Sequence, residues 1–395
     1  MRDAVIVDGA RTAVGKSHKG ITRQYRADDM AGIVVRHLLH KHEAYLEPAL
    51  IDDVVMGCAY PEASQGNNVG RVVALHSGLP PSVPGMTVNR LCASALQAIA
   101  IAGQRIMTGE ADVIIAGGLE SMSLIKRGGF TWDPNPSVHA RYEGVYMTMG
   151  LTAEILAEER GVTREDMDIF AYESHMKAAR ATDAGYFRQE IVPLEIEEEI
   201  VEDDGTHRTV RHHFSEDEHL RRETTLEALA RLKPSFKEGG LVTPGNSSPL
   251  SDGAAAVMLM EATTAASLGF RPLARFVGYS VGGVRPEIMG IGPVVAVPRV
   301  LERSGLRMND IDLIELNEAF AAQALPVMRD LDMDPEKVNV NGGAIALGHP
   351  LGCTGAKLTI HLINEMQRRH SRYGLVTMCI GGGMGAAAIF ENLVA

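Results

Sequence analysis

The chain has 395 residues, 45% of them hydrophobic and 22% charged, with a formal net charge of −12. That length exceeds what one growing core accommodates, so two or three packed units are expected. The acidic balance excludes nucleic acid as a partner, because no basic excess is available to neutralise phosphates; local basic clusters leave room for a small phosphorylated ligand.

At the N-terminus, MRDAVIVDGARTAVGK reads as a first strand, AVIV, running into a turn. It lacks the charged-then-hydrophobic layout of a signal peptide. Gly9 to Lys16 imitates a phosphate-binding loop, but five residues separate Gly9 from Gly15 where that loop has four. No stretch approaches roughly 18 uninterrupted apolar residues, so no membrane span is expected. Cys58, Cys92, Cys353 and Cys379 are too few for a disulfide framework in a chain this long. They read as free thiols in a reducing, cytoplasmic setting.

Further along, the chain repeats itself. IDDVVMGCA at 51–59 is similar to IDLIELNEA at 311–319; Cys92 follows Ile51 by 41 positions and Cys353 follows Ile311 by 42. Each half continues with a small-residue helix, CASALQAIAIAGQRI or CTGAKLTIHLINEM, and then a strand, ADVIIAGG or YGLVTMCIGGG. Two similar α/β halves packed side by side account for these matches. The segments divide the chain into an N-terminal half at 1–120, an inserted segment at 121–250 and a C-terminal half at 251–395.

The inserted segment has a different texture. After the turn formers of RGGFTWDPNPS, apolar residues recur at helical spacing, with Thr163 and Asp166 as an N-cap signal. The acidic stretch VEDDGTHRTVRHHFSEDEHLRRE reads as a solvated excursion over the core. Its His207, His212, His213 and His219 lack regular ligand spacing and are expected to be surface histidines, with no metal site.

Three turns carry candidate chemistry. Cys92 opens a small-residue helix in NRLCASALQA, His349 sits in the glycine- and proline-built NGGAIALGHPLGCTGAK, and Cys379 ends an apolar strand at CIGGGMGAA. A thiol, an imidazole and a second thiol on tight turns read as a nucleophile with acid–base partners acting through a thioester. Gly383, Gly385 and Ala388 also match a dinucleotide fingerprint, but Glu391 lies too near the C-terminus to leave room for the βαβ unit it needs.

NRLCASALQA, GNSSPLSDGAAA, NEAF, NGGAIALGHPLGCTGA and CIGGGMGAA, in this order, resemble the signatures of the thiolase superfamily from about Arg2 to Phe390. The resemblance implies an α/β/α/β/α layered fold of two duplicated halves, with a loop domain inserted in the first. It implies CoA-dependent cleavage of a 3-ketoacyl-CoA to acetyl-CoA and an acyl-CoA shortened by two carbons, in fatty-acid β-oxidation. Cys92 matches the nucleophile, its thiolate favoured by the helix start. His349 matches the histidine that takes its proton and helps hold the thioester oxygen, and Cys379 matches the group that protonates the departing carbanion. Asn317 of NEAF matches the asparagine that works with the histidine at one oxyanion site; the backbone N–H groups of Cys92 and Gly381 match the other.

For the CoA and acyl contacts, Ser248 matches the serine at the pantetheine arm, Phe236 an aromatic near it, Arg221 a basic residue near the nucleotide and Met149 the lining of the acyl pocket. Ala319 and Phe320 of NEAF fall in the same set. Coenzyme A is then a substrate, no cofactor or metal is implied, and homodimers or homotetramers are the family habit. Association with other β-oxidation enzymes fits the same picture. Thr148 stands where short-chain biosynthetic relatives carry histidine, which favours the degradative reading over acetoacetyl-CoA synthesis, and Ala95 replaces a common glycine. A non-catalytic acyl-CoA or lipid carrier predicts loss of Cys92, His349 or Cys379, and all three are present. A ketoacyl synthase is disfavoured by Cys379 within CIGGGMG.

Overall fold

The computed structural model describes residues 2–126, 128–201 and 205–394. Its strands are β1 (Ala4–Arg11), β2 (Gly15–Lys16), β3 (Asp53–Gly57), β4 (Gly85–Val88), β5 (Val113–Ser121), β6 (Leu194–Val201), β7 (His207–Phe214), β8 (Ser251–Glu261), β9 (Ala274–Gly283), β10 (Leu313–Leu316), β11 (Tyr373–Ile380) and β12 (Met384–Asn392). Nine follow one another in a sheet ordered β10-β11-β12-β9-β1-β8-β5-β3-β4, with β2 attached to β8. β1 and β9 share only two residue pairs, so this seam divides the sheet into two halves.

The halves repeat strand by strand. β3 runs parallel to β5 as β10 does to β11; β5 is antiparallel to β8 as β11 is to β12. The repeated Ile-Asp pairs explain why. Asp52 Oδ2 accepts the N–H groups of Asp112 and Val113 at 2.7 and 3.0 Å, and Asp312 Oδ2 accepts those of Arg372 and Tyr373 at 2.8 and 3.0 Å. Each aspartate thus ties the entry of one parallel strand to that of its neighbour.

Alternation along the strands builds the layers. In β8, Ala255, Val257 and Leu259 face a central core while Ala254, Ala256, Met258 and Met260 face an outer one. The central core holds the two helices Ser94–Thr108 and Thr354–Arg369 between the half-sheets. Helix Ala27–Lys41 covers the outer face of the first half, and helices Gly292–Ser304 and Ala321–Asp330 cover that of the second. With both faces buried, the strands read as near-continuous apolar runs. A Cβ on Gly355 would lie 2.2 Å from the Leu96 backbone nitrogen, so glycine is required where the central helices meet.

Among the described residues, 122–250 add no strand to the large sheet. Thr163 and Asp166 form a full capping box at the start of helix Arg164–Asp183. The acidic stretch is not simply solvated excursion. Its His207–Phe214 portion is β7, paired antiparallel with β6, and the buried Leu194, Ile196 and Phe214 seal the outer core of the first half. Glu197 pairs with Arg211 across the two strands, and Glu198 Oε2 lies 3.1 Å from His212 Nε2. The strand was hidden because all its side chains except Val210 and Phe214 are polar or charged.

Candidate active site

Cys92 lies on a short 3-10 turn, Leu91–Ala93, directly before helix Ser94–Thr108. Leu91 has φ +47°, a left-handed conformation that costs a branched residue and persists only when its surroundings impose it. Here Asn89 Oδ1 accepts the Leu91 N–H at 2.8 Å, while Ser94 Oγ accepts the Arg90 N–H at 2.9 Å and donates to the Leu91 carbonyl at 2.6 Å. The thiol is held half-exposed at the helix start. Cys353, its counterpart in the repeat, is buried, and burial foremost pushes its thiol up to about 12. Of the two repeated cysteines, only Cys92 is placed to react.

Cys379 ends β11 and lies in a buried cluster with Met149, Ala319, Phe320 and Phe236. Its thiol is pushed well above the usual range, first by burial and then by the charge of Cys92. Such a thiol holds its proton at neutral pH. Gly381 faces the nucleophile turn: a Cβ there would stand 3.3 Å from Leu91 Cδ1 and 3.4 Å from Met149 Sδ. Gly382 and Gly383 carry the reversal into β12 at φ +79° and +87°.

His349 is buried, with both ring nitrogens engaged. Nδ1 lies 2.6 Å from Thr354 Oγ1 and Nε2 lies 3.3 Å from Asn317 Nδ2. Burial first, then the charge of Lys357, pulls its pKa down to about 3, so the ring is neutral at physiological pH. Asn317 follows β10 and is fully buried, its N–H donating to the Thr377 carbonyl at 3.0 Å. Among the described residues its Oδ1 has no hydrogen-bond partner.

The remaining candidates divide. The Ser248 N–H donates to the Ala319 carbonyl at 2.9 Å, and the Phe236 ring meets Phe320 edge-on at 6.0 Å between centroids. Both therefore join the Cys379 side of the site. Arg221 is exposed, its backbone N–H donating to His175 Nδ1 at 3.2 Å. Thr148 is exposed at the N-cap of helix Met149–Arg160, and Ala95 is packed into the central core.

Several supporting residues escaped the sequence reading. Glu120 is buried, and one of its carboxylate oxygens accepts the N–H groups of Ala59 and Gly352, each at 2.8 Å. It thereby ties the first half to the turn after His349. Burial foremost raises its pKa to about 7. His219, expected at the surface, is buried instead, with Nε2 3.0 Å from Ser251 Oγ and 3.2 Å from the Gly15 carbonyl. The groups that enclose it, Gly15, Ser251 and Gly348, lie far from it in sequence, so its burial was not legible from its polar neighbours.

A family profile described as "Thiolase, N-terminal domain" matches residues 4–263, and one described as "Thiolase, C-terminal domain" matches 270–392. The chain is 53% identical to a 3-ketoacyl-CoA thiolase of Bacillus subtilis (strain 168) over 391 residues, 99% of this chain and 100% of the relative. It is 46% identical over 396 residues to a 3-ketoacyl-CoA thiolase of Saccharophagus degradans, covering 99% of each. In three dimensions it resembles the crystal structure of a Bacillus anthracis acetyl-CoA acetyltransferase, with TM-score 0.89 and 40% identity, covering 100% of this chain and 99% of that one. Fold and sequence agree: this chain belongs to the thiolase family.

Proposed function

We propose that the protein is a degradative 3-ketoacyl-CoA thiolase. The observation that carries the reading is the pair of unlike thiols, Cys92 half-exposed at a helix start and Cys379 buried and holding its proton beside it. The names of the full-length relatives at 53% and 46% identity support the same substrate class.

Cys92 sulfur attacks the C3 ketone carbon as its proton passes to His349 Nε2. A buried neutral imidazole accepts that proton only because a thiolate charge forms beside it. The backbone N–H groups of Cys92 and Gly381, and the donors at Asn317 and His349, are the candidates to stabilise oxygen charge. The C2–C3 bond then breaks, its electron pair passes to C2, and the Cys379 thiol delivers a proton there to release acetyl-CoA. A second CoA thiol gives its proton to the Cys379 thiolate and attacks the Cys92 thioester. Cys92 leaves and recovers its proton from His349. The cycle balances with CoA as a substrate and calls for no cofactor or metal.

Met149, Phe236, Ser248, Ala319 and Phe320 surround the acyl and pantetheine end in this reading, and Arg221 meets the nucleotide. A cytoplasmic homodimer or homotetramer, working with other β-oxidation enzymes, fits it. Among the described residues no helix is long and apolar enough to cross a membrane.

A second reading, short-chain acetyl transfer, is favoured by the likeness at 40% identity to a solved acetyl-CoA acetyltransferase. CoA-dependent thiolysis of acetoacetyl-CoA beside 3-ketodecanoyl-CoA, with wild type and Cys92→Ala, separates them. Higher kcat/KM on the longer substrate, lost in the variant, supports the degradative enzyme. Turnover of acetoacetyl-CoA alone supports the short-chain one, and turnover of neither returns the carrier reading.

A further inference from the structure

The peptide unit that enters His349 is held at both of its polar atoms by side chains from different parts of the chain. Its carbonyl, on Gly348, accepts from Lys357 Nζ at 2.8 Å; its N–H, on His349, donates to Ser251 Oγ at 3.0 Å. Gly348 sits at φ +86° and ψ 161°, a region essentially closed to residues with a Cβ. A Cβ there would come within 2.7 Å of both His219 and Ser251. The turn thus has neither helix nor sheet bonds to fix this peptide, and the two side chains do so.

Both holders are themselves secured. Ser251 Oγ donates to the Pro249 carbonyl at 2.8 Å and lies 3.0 Å from His219 Nε2. Lys357 is only 1% exposed, rises from the central helix, and also reaches the Leu347 carbonyl at 3.5 Å. A lysine this deeply buried is costly unless it is paired. Burial foremost lowers the pKa of Lys357; Asp217, Cys353 and Glu315 act to raise it, and Arg11 adds to the lowering. Its own field reaches His349, His219 and His361, in each case disfavouring the imidazolium.

We propose that Lys357 and Ser251 form a clamp on the Gly348–His349 peptide and are positioning residues that set the direction of the reacting imidazole. Lys357 has a second role through its charge, which adds to burial in keeping that imidazole neutral until the Cys92 proton arrives. The inference rests on the thiolase reading of His349, and the test separates the two.

Lys357→Met, Lys357→Arg and Ser251→Ala are compared with wild type in steady-state thiolysis, in the pH dependence of kcat/KM, and in alkylation of Cys92 by iodoacetamide without substrate. Ser251→Ala is expected to lower kcat about tenfold to a hundredfold by misalignment, with KM for CoA little changed and the acid limb unmoved. Lys357→Met is expected to lower kcat similarly and to move the acid limb up by about one pH unit, since removing a cation raises the imidazole pKa. Lys357→Arg, which keeps the cation, is expected to leave the limb at its wild-type position. Wild-type kcat in Ser251→Ala, or an unmoved limb in a folded Lys357→Met, overturns the clamp or the charge role respectively. If Lys357→Met does not fold, Ser251→Ala decides the clamp and a shifted limb in Lys357→Arg overturns the charge role. If wild type cleaves no 3-ketoacyl-CoA, the functional reading fails, while slowed Cys92 alkylation in Ser251→Ala supports the clamp and an unchanged rate overturns it.

Discussion

Thr354 Oγ1 lies 2.6 Å from His349 Nδ1 and 2.7 Å from the Pro350 carbonyl, so one hydroxyl decides the tautomer of the ring. A carbonyl only accepts, so the hydroxyl proton goes to Pro350 and Oγ1 is left to accept from Nδ1–H. On the opposite side the Asn317 amide nitrogen, which only donates, faces Nε2 at 3.3 Å. The two sides agree on a ring whose free lone pair is at Nε2. Thr354→Val removes the acceptor while keeping the shape, and a fall in kcat of about tenfold to a hundredfold is expected, with Thr354→Ser near wild type. Steady-state kinetics of the two variants decide it.

The pH profile follows from the pKa of about 3 for His349, lowered by burial first and by Lys357 second. A base acts in its neutral form, which exists above that value and is lost below it. Imidazole protonation therefore does not shape kcat/KM between pH 5 and 8 in the wild type. A limb in that range that disappears in an active His349 variant would contradict this.

Cys379→Ala removes the thiol proposed to protonate C2 but leaves the nucleophile turn intact. Thiolysis is expected to fall by about 10²–10⁴-fold, the usual range for one acid–base group. Iodoacetamide still labels Cys92 in this variant, as mass spectrometry of the labelled peptide will report. Loss of labelling would make Cys379 a structural residue.

Gly381→Ala places a methyl 3.3–3.4 Å from Leu91 and Met149, tight enough to crowd the substrate without breaking the turn, since its φ is not left-handed. A drop in kcat/KM of about 10²-fold is expected, with a melting temperature within a few degrees of wild type. A large thermal shift instead would show that the glycine serves packing.

Asp217 lies in a buried charge cluster, its side chain 5% exposed and its two oxygens 2.8 and 3.0 Å from Arg11. Burial pushes its pKa up, but Arg11, Lys357 and the Val14 N–H together more than offset this and the net shift is downward. A depressed carboxylate contributes stability that is present above its unfolded pKa and lost as pH falls through the folded one, so this contribution fades only below about pH 4. Asp217→Asn leaves Arg11 half-paired in the core and is expected to cost about 3–5 kcal/mol near neutral pH. Chemical denaturation measures it; a cost below about 1 kcal/mol would mean the pair contributes little.

The chemistry was written locally, in turns whose glycines, proline and small residues tolerate few other uses. Cys92, His349 and Cys379 could be named because each sits in such a turn, and the repeat could be seen because Asp52 and Asp312 perform the same backbone task in both halves. The β6–β7 hairpin escaped because only its inner face is apolar. His219 escaped because the residues that bury it come from elsewhere in the chain.

The sequence by itself determined which groups are the candidates to react, since their types and turns are properties of short segments. Only the tertiary structure decided how they are held. Thr354, Ser251, Glu120 and Lys357 act on the His349 turn through hydrogen bonds from three separate elements. Burial, which sets the protonation of His349 and Cys379, depends on every layer packed around them.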